Sequence, residues 1–381
     1  VNTALTGTII YNTNIDLGLG VFVWDGDNWQ PVGEPYIPHT TVPAPTCPNP
    51  VPDVTFMAYN LGADVAELMS LYPDLSPAKQ QMKYQANHAF SAADATVWGD
   101  LYQWGRVADG HEKRDAVAYG TDGPLPVADL YPTTGQVKDD TNGGYNKADT
   151  NQKYGHFIKN TAYTSYDWRT PKKDDLWGNG VAIGTATSGG VKSTSDDLYY
   201  QSTDWVISQN NPCPLGWRIP TQDEWERLGD YGCGVPQTAG GNFSISTSTE
   251  SISLSTLNST NAPLTWVRVK EGKAFAGTWV AADRSGFAIY KTTDWNGANA
   301  SYTSGTADLF ETAAPEPLLF LPTTGIRNIS DGSVSNLGYF GYYGSSTAGN
   351  NAHNVAFYDN YLHLNIDEPR IFGAGVRCVK K

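Results

Sequence analysis

Two short stretches carry the residue types that could hold a ligand. In "TTDWNGANASYTSG", residues 292–305, Trp295 is flanked by Asp294 and Asn296. In "YFGYYGSSTAGNNAHN", residues 339–354, Tyr342 and Tyr343 precede Asn351. An aromatic ring offers apolar surface to the C–H side of a sugar, while carboxylate, amide and backbone groups exchange hydrogen bonds with its hydroxyls. Both stretches read as loops, where recognition residues concentrate. The competing reading makes Trp295 and Tyr343 ordinary core or turn aromatics.

Catalytic chemistry is harder to assemble. Histidine stands at positions 39, 88, 111, 156, 353 and 363, with no HExxH motif and no Cys/His spacing of a zinc site. His111-Glu112 inside "DGHEKRD" reads as a polar turn, not a ligand pair. No GxSxG elbow, Walker loop or dinucleotide fingerprint is present. A carboxylate pair for glycoside hydrolysis is a spatial arrangement that spacing does not reveal. "DDTNGGYNKADT", residues 139–150, begins like an oxygen-rich calcium loop but ends on Thr150, where an EF-hand needs an acidic ligand. An irregular Ca2+ site elsewhere in so acidic a chain stays open, and no other cofactor is expected.

The formal net charge is −14 and the pI about 4.7, which repels nucleic-acid phosphate and anionic membrane surfaces alike. The longest apolar candidate, "PLLFLP" at 317–322, falls far short of the roughly 18 residues of a membrane span. Aromatics make up 12% of the chain against 17% charged residues, with 39 Gly and 23 Pro, a mixture suited to short strands and long ordered loops. Four Cys without metal-type pairing fit two disulfides of an exported protein. Four unrelated buried thiols are the alternative. The sequence opens at Val1 in a polar, Thr-rich stretch with no signal peptide, as a processed or trimmed end would.

The elements that must position these residues read as follows. Residues 1–36 form a small β module, in which "WDGDNW" sets Asp-Gly between two strand-like runs as a hairpin signal. Pro at 35, 38, 43, 45, 48, 50 and 52 makes 37–52 a stiff, extended linker expected to take no part in ladder pairing. "VAELMSLY", broken by Pro73, and "SPAKQQMKYQANHAFSAADA" carry a helical signal, the second capped by Ser76 with Pro77 in the first turn. Residues 110–210 lack sustained periodicity and read as a loop-rich insertion. Thr221 and Glu224 have capping-box spacing at the head of a short helix, with Trp225 and Leu228 on its apolar face. "SISLSTL", "LTWVRVK", "AFAGTWV", "GFAIY", "LLFLPTTGIR" and "GVRCVKK" are short strands separated by Gly, Asn and Ser.

Six motifs then follow in order: "YNLGAD" (59–64), "WGDLYQWGRVADGHEKR" (98–114), "NPCPLGWRIPTQDEWERL" (210–227), "LFLPTTGIR" (319–327), "GYYGSST" (341–347) and "GAGVRCV" (373–379). Together they resemble the Fibrobacter succinogenes major paralogous domain of exported Bacteroidota proteins, over about residues 53–381. That family is similar to C-type-lectin-like and formylglycine-generating-enzyme-like domains, in which an R-x-P-T-x-x-E-W helix entry recurs; here it runs from Arg218 to Trp225. The resemblance implies an α+β, C-type-lectin-like fold of short twisted antiparallel strands, few short helices and long ordered loops. It also implies a Cys213–Cys378 disulfide, worth about 4 to 5 kcal/mol in the chain-entropy model. Cys47 and Cys233 then remain, and their simplest pairing ties linker to domain. Relatives often carry an aromatic, commonly Trp, where Gly344 stands, so the space beside Tyr342 and Tyr343 is either roomier here or filled from the insertion.

The expectation is an exported, cell-surface, non-enzymatic module that binds a glycan or a protein, with Trp295, Asp294, Asn296, Tyr342, Tyr343 and Asn351 as candidate contacts. The alternative is a structural or accessory subunit of an extracellular assembly, joined through the β module by edge-strand addition. An enzyme of unknown class is the third reading.

Overall fold

Strand-forming sequence comes in short runs divided by Gly, Pro and Asn, and the computed structural model shows seven small sheets among the described residues. Those residues are 37–43, 53–88, 91–106, 108–116, 211–214, 216–226, 263–277, 283–348, 352–358 and 361–380, with shorter pieces at 9–12, 20–24, 29–31, 118–121, 125–126, 156–160, 167–170, 176–177, 228, 252–253 and 280. Pairing is mostly antiparallel and the helices are short, so the class is α+β. No helix among the described residues is long and apolar enough to cross a membrane.

The N-terminal sheet joins β1 (Ile9–Asn12), β2 (Gly20–Trp24) and β3 (Trp29–Pro31), with Trp24 opposite Trp29. The next strands correct the linker expectation. β4 (His39–Val42) pairs along its whole length with β5 (Val54–Met57). Between Pro38 and Pro43 lies a proline-free window, His39-Thr40-Thr41-Val42, whose β-branched residues suit a strand and whose backbone donors are intact. The prolines bound this strand instead of abolishing it.

Two helices follow. α1 (Val65–Leu71) is capped by Asp64, whose carboxylate accepts from the Glu67 N–H at 2.9 Å. α2 (Pro77–Asn87) starts at Ser76 with Pro77 in its first turn, although the Ser76 side chain makes no capping bond. Strands β6 (Tyr102–Gln103), β7 (Ala118–Thr121), β8 (Leu125–Pro126), β9 (Phe157–Asn160) and β10 (Arg169–Thr170) come next. Here the antiparallel rule breaks: β7 pairs with β9, and β8 with β10, in parallel. Trp168, Leu176 and Trp177, all within the insertion at 110–210, are buried in the same core cluster as Tyr59 and Trp98. Its described residues therefore belong to the body of the fold.

β11 (Trp217–Arg218) leads into α3 (Gln222–Glu226), the short helix the sequence suggests. The capping box forms as expected: the Thr221 hydroxyl accepts from the Glu224 N–H at 3.2 Å, and the Glu224 carboxylate accepts from the Thr221 N–H at 2.9 Å. The same carboxylate takes two bonds from Arg218, at 2.6 and 2.7 Å, which explains the arginine of R-x-P-T-x-x-E. Cys213 is bonded to Cys378, fastening the entry of β11 to the chain just before β23 (Val379–Lys380). β11, β23, β5 and β4 make one sheet in that order.

The remaining strands are β12 (Ile252–Ser253), β13 (Leu264–Lys270), β14 (Lys273–Ala274), β15 (Ser285–Lys291), β16 (Leu319–Pro322), β17 (Ile326–Arg327), β18 (Val334–Ser335), β19 (Phe340–Ala348), β20 (Ala352–Tyr358), β21 (Tyr361–Glu368) and β22 (Gly373–Ala374). Short helices α4 (Thr292–Asn296) and α5 (Ala300–Thr303) lie between β15 and β16. Three sheets result, ordered β14-β13-β15-β16, β18-β17-β22-β6 and β12-β21-β20-β19. The last corrects the loop expectation for 339–354, most of which is the β19–β20 hairpin. Gly341 and Gly344 gave the stretch the look of a loop, yet each is a strand residue beside a ring. A Cβ on Gly341 would sit 2.2 Å from the Phe357 ring, and one on Gly344 3.1 Å from Trp177.

The separated motifs meet in one buried polar node. Asn60 donates to the Trp98 carbonyl at 2.9 Å and to the Tyr343 hydroxyl at 3.1 Å, and that hydroxyl donates to the Pro322 carbonyl at 2.8 Å. Arg377, fully buried, donates to Asn60 Oδ1, the Met57 carbonyl and the Phe320 carbonyl. The "GYYGSST" segment also seats α3: Ser346 N–H donates to the Pro220 carbonyl at 2.8 Å, and the Gln222 N–H to Thr347 Oγ1 at 3.0 Å. These motif residues build scaffold, since their polar atoms are engaged by one another.

Candidate functional site

β19, β20 and β21 are long enough to show the two faces of a pleated sheet. Residues directly opposite across a ladder share a face. Tyr343 opposes Val355, and Phe357 opposes Leu362; this face is buried against Trp225 of α3 and Phe287 of β15. The other face carries Phe340 opposite Tyr358, Tyr342 opposite Ala356, and His363 opposite Ala356 on the far strand.

On that outer face the rings touch in series. Phe340 lies 5.6 Å from Tyr342 and 4.5 Å from Tyr358, Tyr358 lies 5.5 Å from His363, and Tyr339 packs edge-on to Phe340 at 4.6 Å. Tyr339, Phe340, Tyr342 and Tyr358 are each partly exposed, whereas His363 is only 8% exposed. At the end of this face beyond Tyr342, Trp177 of the insertion covers Gly344, with its indole N–H donating to the Arg106 carbonyl at 3.0 Å. Trp177 of the insertion thus fills the space beside Gly344, and the rings from Tyr342 onward are partly exposed.

The polar atoms of the ladder are underused. The His363 side chain makes no hydrogen bond among the described residues, and its Nδ1 is buried. Among the described residues the side-chain hydroxyls of Tyr339 and Tyr342 bond to no group; the Tyr342 bonds to Thr324 involve its backbone only. Burial pushes the His363 imidazole below its ordinary value of 6.5, so it is neutral at pH 7. Burial also raises the Tyr342 hydroxyl, and the nearby charge of Glu368 adds to that. A row of rings with a neutral imidazole and two phenol hydroxyls offers apolar contact together with donors and acceptors in one place.

The six candidate contacts are therefore divided. Tyr342 lies in the ladder. Tyr343, one residue on, is fully buried and its hydroxyl is engaged by Pro322 and Asn60; burial lifts it to about 12 in spite of Arg377. Trp295 lies in α4, half-buried against Tyr290 at 4.8 Å, in a different packing cluster. Asp294 and Asn296 beside it are exposed. Asn351 lies outside the described residues, as do Cys47, Cys233 and the stretch 139–150. Phe340, Tyr358 and His363 escaped the sequence reading; the i, i+2 spacing of Phe340 and Tyr342 could have found the first, while Tyr358 and His363 join the row only through cross-strand pairing, which leaves no local signal.

One cluster of metal-ligand type occurs among the described residues, Asp109 with His111 and Glu112. Its atoms are already occupied. His111 Nδ1–H donates to Asp109 at 2.6 Å, and Nε2 accepts from the Gln103 N–H at 3.0 Å, which fixes a neutral tautomer. Arg106 donates to the other Asp109 oxygen at 2.6 Å, and Glu112 accepts from the Gly110 N–H at 2.8 Å. Burial followed by the Arg106 charge pushes His111 down. Burial opposes ionisation of Asp109, but Arg106 and His111 outweigh it and hold the carboxyl well below the usual range. A cation would have to displace a guanidinium contact and a ring proton, so the cluster is a buried turn that orients 103–114.

No family model, curated protein or solved structure matches the chain.

Proposed function

We propose that the chain is an exported, cell-surface, non-enzymatic binding module of C-type-lectin-like fold, akin to the Fibrobacter succinogenes major paralogous domain, whose ligand is a glycan. The observation that supports this reading is the outer ladder of β19–β21, where Tyr342 and His363 keep unused hydrogen-bonding atoms among partly exposed rings. The order of six motifs and the Cys213–Cys378 bond support the family resemblance. The non-enzymatic reading is supported by the Asp109–His111 cluster, whose atoms already hold protein partners.

The test is a glycan array probed with the full chain, with and without EDTA, beside light scattering of the same sample. Specific binding lost in Tyr342→Ala and kept in Trp295→Ala assigns the ladder. The reverse pattern assigns the exposed surface of α4 with Asp294 and Asn296. Silence on the array from a folded chain sinks the glycan reading.

A second reading rests on β1, an edge strand of the N-terminal sheet among the described residues, with Ile10 37% exposed. Such an edge can accept a strand from another subunit. The other edge, β3, ends on Pro31, which lacks a donor. Oligomers that vanish on deletion of residues 1–36 would favour an extracellular assembly subunit.

A further inference from the structure

Methionine occurs three times in the chain, at positions 57, 69 and 82, and the fold treats the three differently. Met57, in β5, is buried in the core cluster of Tyr59 and Trp98; its N–H donates to the Cys378 carbonyl at 2.8 Å and its carbonyl accepts from Arg377 at 3.1 Å. Met82, in α2, is buried in the cluster of Val267, Ala288 and Phe320. Met69, in α1, is 42% exposed. Helix geometry accounts for the difference. α1 turns Val65 and Leu68 inward, and Tyr72 continues that stripe against the core. Met69 follows Leu68 by one residue, about 100° further round the helix, and so leaves the stripe. Leu71, two residues on, is 44% exposed beside the helix end. Among the described residues the only other large hydrophobic side chains left so exposed are Ile10 and Val280.

A thioether sulfur is a soft nucleophile that peroxides oxidise to the sulfoxide. A sulfur lone pair attacks one oxygen of hydrogen peroxide, the O–O bond breaks, and the departing hydroxide becomes water as the transferred oxygen sheds its proton. The sulfur loses two electrons and the peroxide gains them. The step needs no acid, base or metal from the protein, so access of the oxidant to the sulfur sets the order in which methionines react. The product is polar where the thioether was apolar. At Met57 or Met82 that change would disrupt packing, whereas at Met69 the sulfoxide faces water and Val65 and Leu68 keep their places. We propose that Met69 is an oxidant-sensitive surface site: peroxide converts it to the sulfoxide ahead of Met57 and Met82, and the change makes the apolar spot shared with Leu71 polar without opening the core.

The experiment treats the folded full chain with hydrogen peroxide and follows each methionine by peptide mass mapping. Met69 should gain one oxygen first, with Met57 and Met82 at least about tenfold slower, because a buried thioether reacts only when the fold opens. In denaturing urea the three rates should converge. Equal rates in the folded chain would overturn the proposal, and so would an order that persists in urea, since it would not come from the fold. The singly oxidised chain should elute earlier from a hydrophobic-interaction column, and methionine sulfoxide reductase should restore both its mass and its retention. Met69→Leu keeps an apolar side chain and removes the sulfur, so its retention should not move on the same treatment. Unchanged retention of the oxidised chain, or an equal shift in Met69→Leu, would overturn the change in surface character. The urea midpoint of the oxidised chain should match that of the untreated one, and a clear fall would place Met69 in the core and overturn the proposal. α1 carries no residue of the β19–β21 ladder, so none of these results decides the glycan reading.

Discussion

Tyr342 and Tyr343 are adjacent, chemically identical and on one strand, yet they live in opposite worlds. Tyr343 points into the core, fully buried, with its hydroxyl held by Pro322 and Asn60. Tyr342 points out, partly exposed, with a hydroxyl that no described residue engages. The pleat alone separates them, because successive strand residues face opposite sides. The lesson is that a buried polar group with all its bonds made is structural evidence, whereas one with none made beside accessible rings points outward to a partner. Sequence shows two tyrosines; only register tells which is which.

The comparison breaks most visibly by truncation. Tyr343→Ala should cost about 3–5 kcal/mol, the range for losing a large buried ring, because it also strands Asn60 and the Pro322 carbonyl. Tyr342→Ala should cost about 1 kcal/mol, the centre of ordinary substitutions. Urea midpoints of the two variants are the measurement, and equal costs would mean that the outer face is core. A smaller effect probes the closed end of the outer face. A Cβ on Gly344 meets Trp177 at 3.1 Å, so Gly344→Ala should lose about 1 kcal/mol through overpacking. In a Trp177→Ala background that loss should disappear, and a double-mutant cycle with no coupling would show that Trp177 does not fill the gap.

What could be read in advance was local. Thr221 and Glu224 lie three residues apart, and the capping box follows from that spacing. The bond from Arg218 to Glu224 is nearly as local, but the motif did not say which carboxylate the arginine meets. The four residues between Pro38 and Pro43 were misread because composition over a window hides a short strand inside a proline-rich run. Gly341 and Gly344 were misread for a related reason: glycine in sequence resembles a turn, while here it makes room for Phe357 and Trp177, rings contributed by distant chain. Arg327 is the extreme case, donating to carbonyls of Gly332, His111, Lys113 and Ala116 with no acidic side chain among these partners. Burial lowers it to about 10. Nothing in "GIR" announces four carbonyls gathered from two segments.

The weakest effect extends the comparison to two histidines. His111 has both ring nitrogens bonded, and His363 Nδ1 has no partner among the described residues, but burial depresses both below 6.5. For a base depressed in the folded state, the unfolded chain takes up the proton first as pH falls. Stability should therefore decline from about pH 6.5 downward, at no more than about 1.4 kcal/mol per pH unit for each group. Asp109 acts only at lower pH, since its stabilisation is present above the unfolded value of 3.8 and is lost as pH falls through its depressed folded value. Between pH 7 and 5, His111→Asn and His363→Asn should each flatten the slope of denaturation midpoint against pH. They should differ at pH 7, where His111→Asn breaks the bonds to Asp109 and Gln103 and loses stability, while His363→Asn breaks none. If His363→Asn proved as costly at neutral pH as His111→Asn, the imidazole would be a packing element of the sheet and its unbonded nitrogen would no longer argue for a ligand.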